Sequence, residues 1–236
     1  MKDRPKNEAP LLTSGNPAKR IIMFALPLLA GEIFQIFYTM ADAFVVGRWV
    51  GINGLAAVGA TYNMICFVWG FIFGLTGGFA VITSQRVGKG DEEGIRRSVA
   101  TGLFLCLLSS IILTILLIPI SPRILSFMNT PQEIMRDASS YVLIIFSGTV
   151  FFMFCNMLTS IVYAGGDSFH PLIFFLIGTL SNIILNILFV AVFSWGIPGA
   201  AAATVISQII AGMLTLIFIL RRFRSFLPRK EDWRME

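Results

Sequence analysis

The residues able to do chemistry are few, and the most telling lie inside long apolar runs. Glu32, Gln35, Thr39 and Asp42 sit at offsets of 0, 3, 7 and 10. At about 100° per residue they fall within an arc of roughly 80° on one helical face, forming a polar stripe about 15 Å long. Carboxyl groups so placed can bind a proton or a small cation, and inside a membrane they must face protein or water. The competing reading makes Asp42 an interfacial group near Arg48 and Glu32 a tie between helices. Asn182 and Asn186 are spaced i, i+4, as are Thr204 and Gln208, so each pair projects from one helix face. Together with the Asp42 stripe they can enclose a wet cavity. Alternatively, they are interhelical hydrogen bonds worth about 0.6–2 kcal/mol each.

Other chemistry finds little support. The single His170 precedes Pro171 in a loop, with only Asp167 nearby, and Cys66, Cys106 and Cys155 lie in apolar stretches without a CxxC pair. No metal site, disulfide framework or organic cofactor is expected. An intramembrane enzyme would need convergent His, Cys, Ser or carboxylate groups at membrane depth, and the lone loop histidine argues against one. Gly70, Gly74 and Gly78 form two GxxxG steps, expected to let another helix approach span two. Pro27 interrupts span one and predicts a bend, serving as a hinge or as a static kink. The 22 Phe and 10 Met residues, including Phe151, Phe152, Met153 and Phe154, suit an adaptable apolar pocket or lipid contact.

The elements that must position these groups follow from composition. Of 236 residues, 56% are apolar and 13% charged, against about 45–50% and 25% in ordinary soluble domains. The charges cluster between long uncharged runs, which indicates an all-α, polytopic membrane protein and argues against a water-soluble enzyme. Six stretches reach the roughly 20 residues a span requires: Ile21 to Val46, Leu55 to Thr83, Val99 to Ile118, Tyr141 to Tyr163, Leu172 to Phe193, and Gly199 to Leu220. Long runs apolar on all sides do not fit a barrel. The net charge of +5 comes from basic residues beside the spans and gives no reason to expect nucleic acid as a partner.

With the N-terminus inside, fifteen Lys and Arg fall on the inner side and only Arg48, Arg123 and Arg136 on the outer side, which places both termini in the cytoplasm. No removable signal peptide is read in the polar start, Met1 to Asn16. Turn signals punctuate the spans: Gly88-Lys89-Gly90-Asp91, Ser121-Pro122, Gly165-Gly166-Asp167 and Trp195-Gly196-Ile197-Pro198-Gly199. Thr130-Pro131-Gln132-Glu133 predicts a helix start capped by Thr130, ahead of span four. The organisation expected is a cytoplasmic tail over 1–16, six transmembrane helices over 17–224, and a tail or truncated linker over 225–236.

Several of these pieces carry a family resemblance. Leu26-Pro27, then Gln35, Tyr38, Asp42 and Gly47, followed by Leu55-Ala-Ala-Val-Gly59, resemble the first helix of the multidrug and toxic compound extrusion (MATE) family. Ser84-Gln85 with Gly88 to Asp91, Asn156 through Ala164 to Ser168 with Pro171, and Asn182 with Gly196 to Thr204 resemble later family segments, in order. The resemblance covers about residues 16 to 224 and only the N-terminal of two six-helix lobes. It implies a cation-coupled exporter of drugs and organic cations, in the bacterial cytoplasmic membrane, with a central cavity open alternately to each side. It also implies a proton or sodium site at Asp42, Asn182, Asn186 and Thr204, with Gln35, Tyr38 and Asn156 as cavity residues and Pro27 as hinge.

Two departures matter. The position of Asn186 is often Asp in the family, so Asp42 is the main titrating group expected here. Tyr163 stands where Arg is frequent. The mechanism expected has Asp42 alternately protonated and ionised, changing how span one sits against spans five and six, while Pro27 permits the bend. The partners expected are a hydrophobic or cationic small molecule, the bilayer, and a missing second lobe or a second copy of the chain. Rival readings are a lipid-linked oligosaccharide flippase of a related superfamily, which would favour basic residues within the cavity, and an inactive remnant.

Overall fold

A computed structural model describes residues 16–233; Lys2, Arg4 and Lys6 of the N-terminal tail, and the last three residues of the C-terminal tail, lie outside them. The described chain is helical throughout. Helix α1 runs Pro17–Trp49, opened by Asn16, whose side chain accepts the Ala18 N–H at 3.0 Å, with proline in the first turn. Helix α2, Ile52–Lys89, closes on Gly90 in the left-handed conformation (φ 70°), and Asp91 caps α3, Glu92–Phe127, by accepting the Gly94 N–H at 2.9 Å. The Gly88 to Asp91 signal is thus a helix stop followed at once by a start.

Ser121-Pro122, expected to end span three, does not. Helix α3 continues through Pro119 and Pro122 to Phe127. Pro122 has no N–H to offer the Ile118 carbonyl, and the Ser121 hydroxyl donates to that carbonyl instead, at 3.1 Å. The repair removes the reason for the helix to break.

Span four is two helices. α4, Gln132–Ser147, and α5, Thr149–Ala164, meet at Gly148 with a 48° bend, so the described residues hold five candidate spans and a sixth formed by this bent pair. At the bend a Cβ on Gly148 would lie 2.8 Å from a Val205 methyl of the last helix, so only glycine allows that approach. The start also differs from expectation: α4 begins at Gln132 after Pro131, and no side chain caps it. α6, Phe169–Asn186, passes directly into a π-helical turn, Ile187–Val192, and α7, Gly196–Arg222, completes the bundle.

The core lies among α2, α3, α4, α5 and α7, centred on Phe146, Met153, Met157, Ile161 and Ile219. Helix α6 lies on α7, and α1 lies at the edge, mainly against α6. Of all the residues of α1, only Asp42, Val45 and Val46 are buried. The outward faces carry Ile33, Phe67, Leu107, Ile115, Leu180 and Met213, all exposed, as expected where lipid is the solvent. The short turns Arg224–Phe226 and Lys230–Trp233 fold back on α3, where Arg96 Nε donates to Asp232 at 3.2 Å.

Candidate functional site

The helix periods that pair Asn182 with Asn186, and place Thr204 on α7, bring all three side chains to the α6–α7 seam, where α1 lays Asp42 across it. Asn182 and Asn186 are completely buried, Thr204 is 5% exposed and Asp42 9%. The Asn186 amide donates to the Asp42 carboxylate and, at 3.1 Å, to Asn182 Oδ1. The Asn182 amide points at Thr204 Oγ1 across 3.5 Å, and the Tyr38 hydroxyl approaches the same oxygen, also at 3.5 Å. Thr204 donates back to the Ala200 carbonyl at 3.1 Å. One connected network therefore ties three helices to a single carboxylate.

Its chemistry follows from the atoms present. Desolvating a carboxylate costs several kcal/mol unless it is protonated, hydrogen-bonded or bound to a cation. Asp42 has an amide as its named partner, and Asn186 Oδ1, beside it, has no hydrogen-bond partner among the described residues. A carboxylate, two amide oxygens and a threonine hydroxyl make an oxygen-rich set of the kind that holds a proton or a hard cation.

Other expected residues are placed differently. Glu32 and Thr39 are exposed and Gln35 is half-buried, so the stripe on α1 is enclosed by this lobe only at Asp42. The reason is packing: α1 is covered near its C-terminal end and leaves its earlier turns open. Thr39 satisfies its hydroxyl on the Gln35 carbonyl at 2.9 Å. Asn156, on α5, turns its amide back to the Phe152 carbonyl at 2.9 Å and does not join the Asp42 network. Pro27 lies half-buried in an unbroken α1. Gly70, Gly74 and Gly78 are exposed, and a Cβ on any of them would meet nothing within 4 Å, so no helix among the described residues uses the GxxxG steps for close approach.

One participant escaped the sequence reading. Tyr141 of α4, 6% exposed, lies within electrostatic reach of Asp42 and Tyr38 and close to Thr204. Only the signal of a tyrosine at the start of an apolar run was available, and its arrival depends on the packing of the broken span. Two narrow clefts flank the network. One includes Trp69, Thr149, Phe152, Thr204 and Gln208, with Trp69 stacked on Phe152 at 5.0 Å. The other includes Tyr38, Thr179, Ser207 and Gln208.

Comparison with known proteins places this arrangement. The model of the MatE family matches residues 27–188. The chain is 30% identical over 223 residues to "Probable multidrug resistance protein YpnP" of Bacillus subtilis (strain 168), covering 94% of this chain and 50% of that protein. It superposes with a TM-score of 0.90 on an outward-facing multidrug resistance MATE family transporter of the MOP superfamily, at 24% identity, covering 99% of this chain and 52% of the other. A second structure, a MATE protein in the bent conformation, matches with a TM-score of 0.88 at 25% identity, covering 96% and 50%. The chain spans about half the length of the curated relatives it matches. A match running from the proline of α1 to the π turn after Asn186, and taking in Asp42 and both asparagines, makes this chain a member of the MatE family, the multidrug and toxic compound extrusion transporters.

Proposed function

We propose that the chain is one lobe of a proton- or sodium-coupled antiporter that exports drugs or organic cations across the plasma membrane, with both termini cytoplasmic. Its partner is a second six-helix lobe or a second copy. The observation that carries this reading is the burial of one carboxylate, Asp42, among neutral amide and hydroxyl groups of α6 and α7. The multidrug resistance named for the relatives supports the substrate class.

Asp42 binds the coupling cation, with Asn182, Asn186 and Thr204 supplying neutral oxygens. Cation binding removes the net charge from the seam, and α1 then settles differently against α6 and α7. The lever is α1 itself. No residue before Asp42 in that helix is buried, and Pro27 leaves the Met23 carbonyl without its helical donor, so the early turns are lightly held. Tyr38 joins the cavity wall to Thr204. Gln35, half-buried on α1, and Asn156 on α5 contact substrate. A ligand shifts such an equilibrium only by binding its two states unequally, so substrate and cation compete through the position of α1. With Asn at position 186 the seam holds one titrating carboxyl, and the lobe exchanges one cation.

The test is Asp42→Asn in the chain's full natural context. Ethidium export against a gradient stops while insertion and expression are unchanged. Export at the normal rate by Asp42→Asn overturns the reading.

A further inference from the structure

The cleft bounded by Tyr38, Thr179, Ser207 and Gln208 has a direction. On α1 the network holds Asp42 and the cleft holds Tyr38, four residues nearer the helix N-terminus. On α6 the network holds Asn182 and Asn186, and the cleft reaches back through Thr179 and Gly178 to Phe175. On the antiparallel α7 the network holds Thr204, and the cleft runs forward through Ser207 and Gln208 to Ala211. All three displacements point to the same end of the bundle, where α1 and α6 begin and α7 ends. At about 1.5 Å per residue the cleft reaches some 6–16 Å along the three helices from the network toward that end. The exposed Arg221, Arg222 and Arg224 mark it.

Its lining is unusual for a helix seam in a membrane protein. Thr179 is 9% exposed, and its hydroxyl has no hydrogen-bond partner among the described residues. A threonine in an apolar helix ordinarily satisfies itself on the carbonyl a turn back, as Thr39, Thr76 and Thr215 do here. Gln208 is half-buried, and Ser207 donates to the Thr204 carbonyl at 2.8 Å. Gly178 keeps the wall thin: a Cβ there would sit 3.0 Å from that of Ala211. The cleft has room for about one water, and its walls offer hydroxyl and amide groups without a fixed charge. Neutral oxygens that replace hydration without trapping an ion are what a passage needs, in contrast to a binding site.

We propose that this α1–α6–α7 cleft is the polar route by which a small cation, stripped of most of its water, passes between the basic end of the lobe and the Asp42 network, with Thr179 as its intermediate oxygen. The proposal rests on the reading of Asp42 as the cation-binding carboxylate, and Tyr38, joining cleft to network, is its inner gate.

The experiment uses silver ion, a monovalent thiol-reactive cation, added to one side or the other of sealed membrane vesicles containing the full protein in nitrate buffer. Thr179→Cys and Gln208→Cys are the probes, with Val190→Cys, buried beyond the network, and Leu180→Cys, on the outward face, as references. Surviving thiols are counted by maleimide after denaturation and located by mass spectrometry, so Cys66, Cys106 and Cys155 remain as internal controls. Thr179→Cys and Gln208→Cys are expected to react about tenfold faster from the basic-end side than from the other, and faster than either reference. Thr179→Val slows ethidium export about tenfold, whereas Thr179→Ser preserves it. Unreactive cysteines at both probe positions, or equal reaction from both sides, overturn the route while leaving the coupling site intact. Normal export by Asp42→Asn overturns the coupling site itself, whatever silver shows.

Discussion

Asn186→Leu isolates the bond between the buried carboxylate and its amide. Three atomic changes follow from the geometry. The Asp42 carboxylate loses its amide donor, Asn182 Oδ1 loses the 3.1 Å bond from the same amide, and the unpartnered Asn186 Oδ1 disappears. Stranding a buried neutral acceptor costs about 1–3 kcal/mol, and removing an unsatisfied one returns about 1 kcal/mol, so these two terms leave a loss near 1 kcal/mol at any pH. The bond to Asp42 behaves otherwise. Toward an ionised carboxylate it contributes about 1.5–3 kcal/mol, whereas a protonated carboxyl does without it at small cost. The variant should therefore lose about 1 kcal/mol at a pH acidic enough to protonate Asp42 and about 3 kcal/mol at a pH alkaline enough to ionise it, the difference being the charge on Asp42. For a chain of this size each kcal/mol moves the melting temperature by about 2–4 °C. Thermal unfolding in detergent, followed by tryptophan fluorescence at the two pH values, reads both shifts. Equal losses at acidic and alkaline pH would refute the reasoning, because they would mean that the amide does not face a titrating group. Asp42→Asn combined with Asn186→Leu should abolish the pH dependence.

Gly212→Ala should destabilise the bundle by about 1–3 kcal/mol, because the new Cβ would lie 1.9 Å from Cys155 Sγ; Cys155→Ala should recover part of that loss in a double-mutant cycle of thermal unfolding. Gly165→Ala should act similarly at another close contact, where the Phe223 ring lies 2.3 Å from the position of a Cβ, and the same melting assay reads it. The Arg229 N–H at 2.7 Å, aided by the Arg96 guanidinium, holds Asp232 below the usual carboxylate range. Its contribution to the fold is present above the ordinary carboxylate pKa and disappears as pH falls through the lowered one, so the protection of amides 229–232, measured against their intrinsic exchange rates at each pH, should fall on acidification and be low at all pH values in Asp232→Asn.

Much of the bundle was legible because lipid imposes a simple rule on sequence: apolar runs of span length, with charge at their ends. The six expected runs lie within α1 to α7, since nothing in a membrane competes with intrahelical hydrogen bonding. The pairing of Asn182 with Asn186 was equally legible, being a consequence of helical period. What escaped depends on tertiary contact. The bend at Gly148 reflects the closeness of Val205, 57 positions later. The persistence of α3 past Pro122 depends on a neighbouring hydroxyl that also fits a turn. The exposure of Glu32 and Thr39 follows from how little of α1 is covered, which no period reveals. Tyr141 comes close to Asp42 and Thr204 through the packing of the broken span. The π turn after Asn186 has no periodic signature, and it lies where a register change aims the last turn of α6.

The central claim is that a single carboxyl in this lobe exchanges a cation when substrate binds. Its most direct measurement is the number of protons, or of sodium ions traced as ²²Na⁺, released per chain when ethidium is added to the purified full protein at equilibrium. The account predicts one cation of one kind attributable to this lobe, lost in Asp42→Asn and retained in Asn186→Asp. Undiminished release from Asp42→Asn would contradict it.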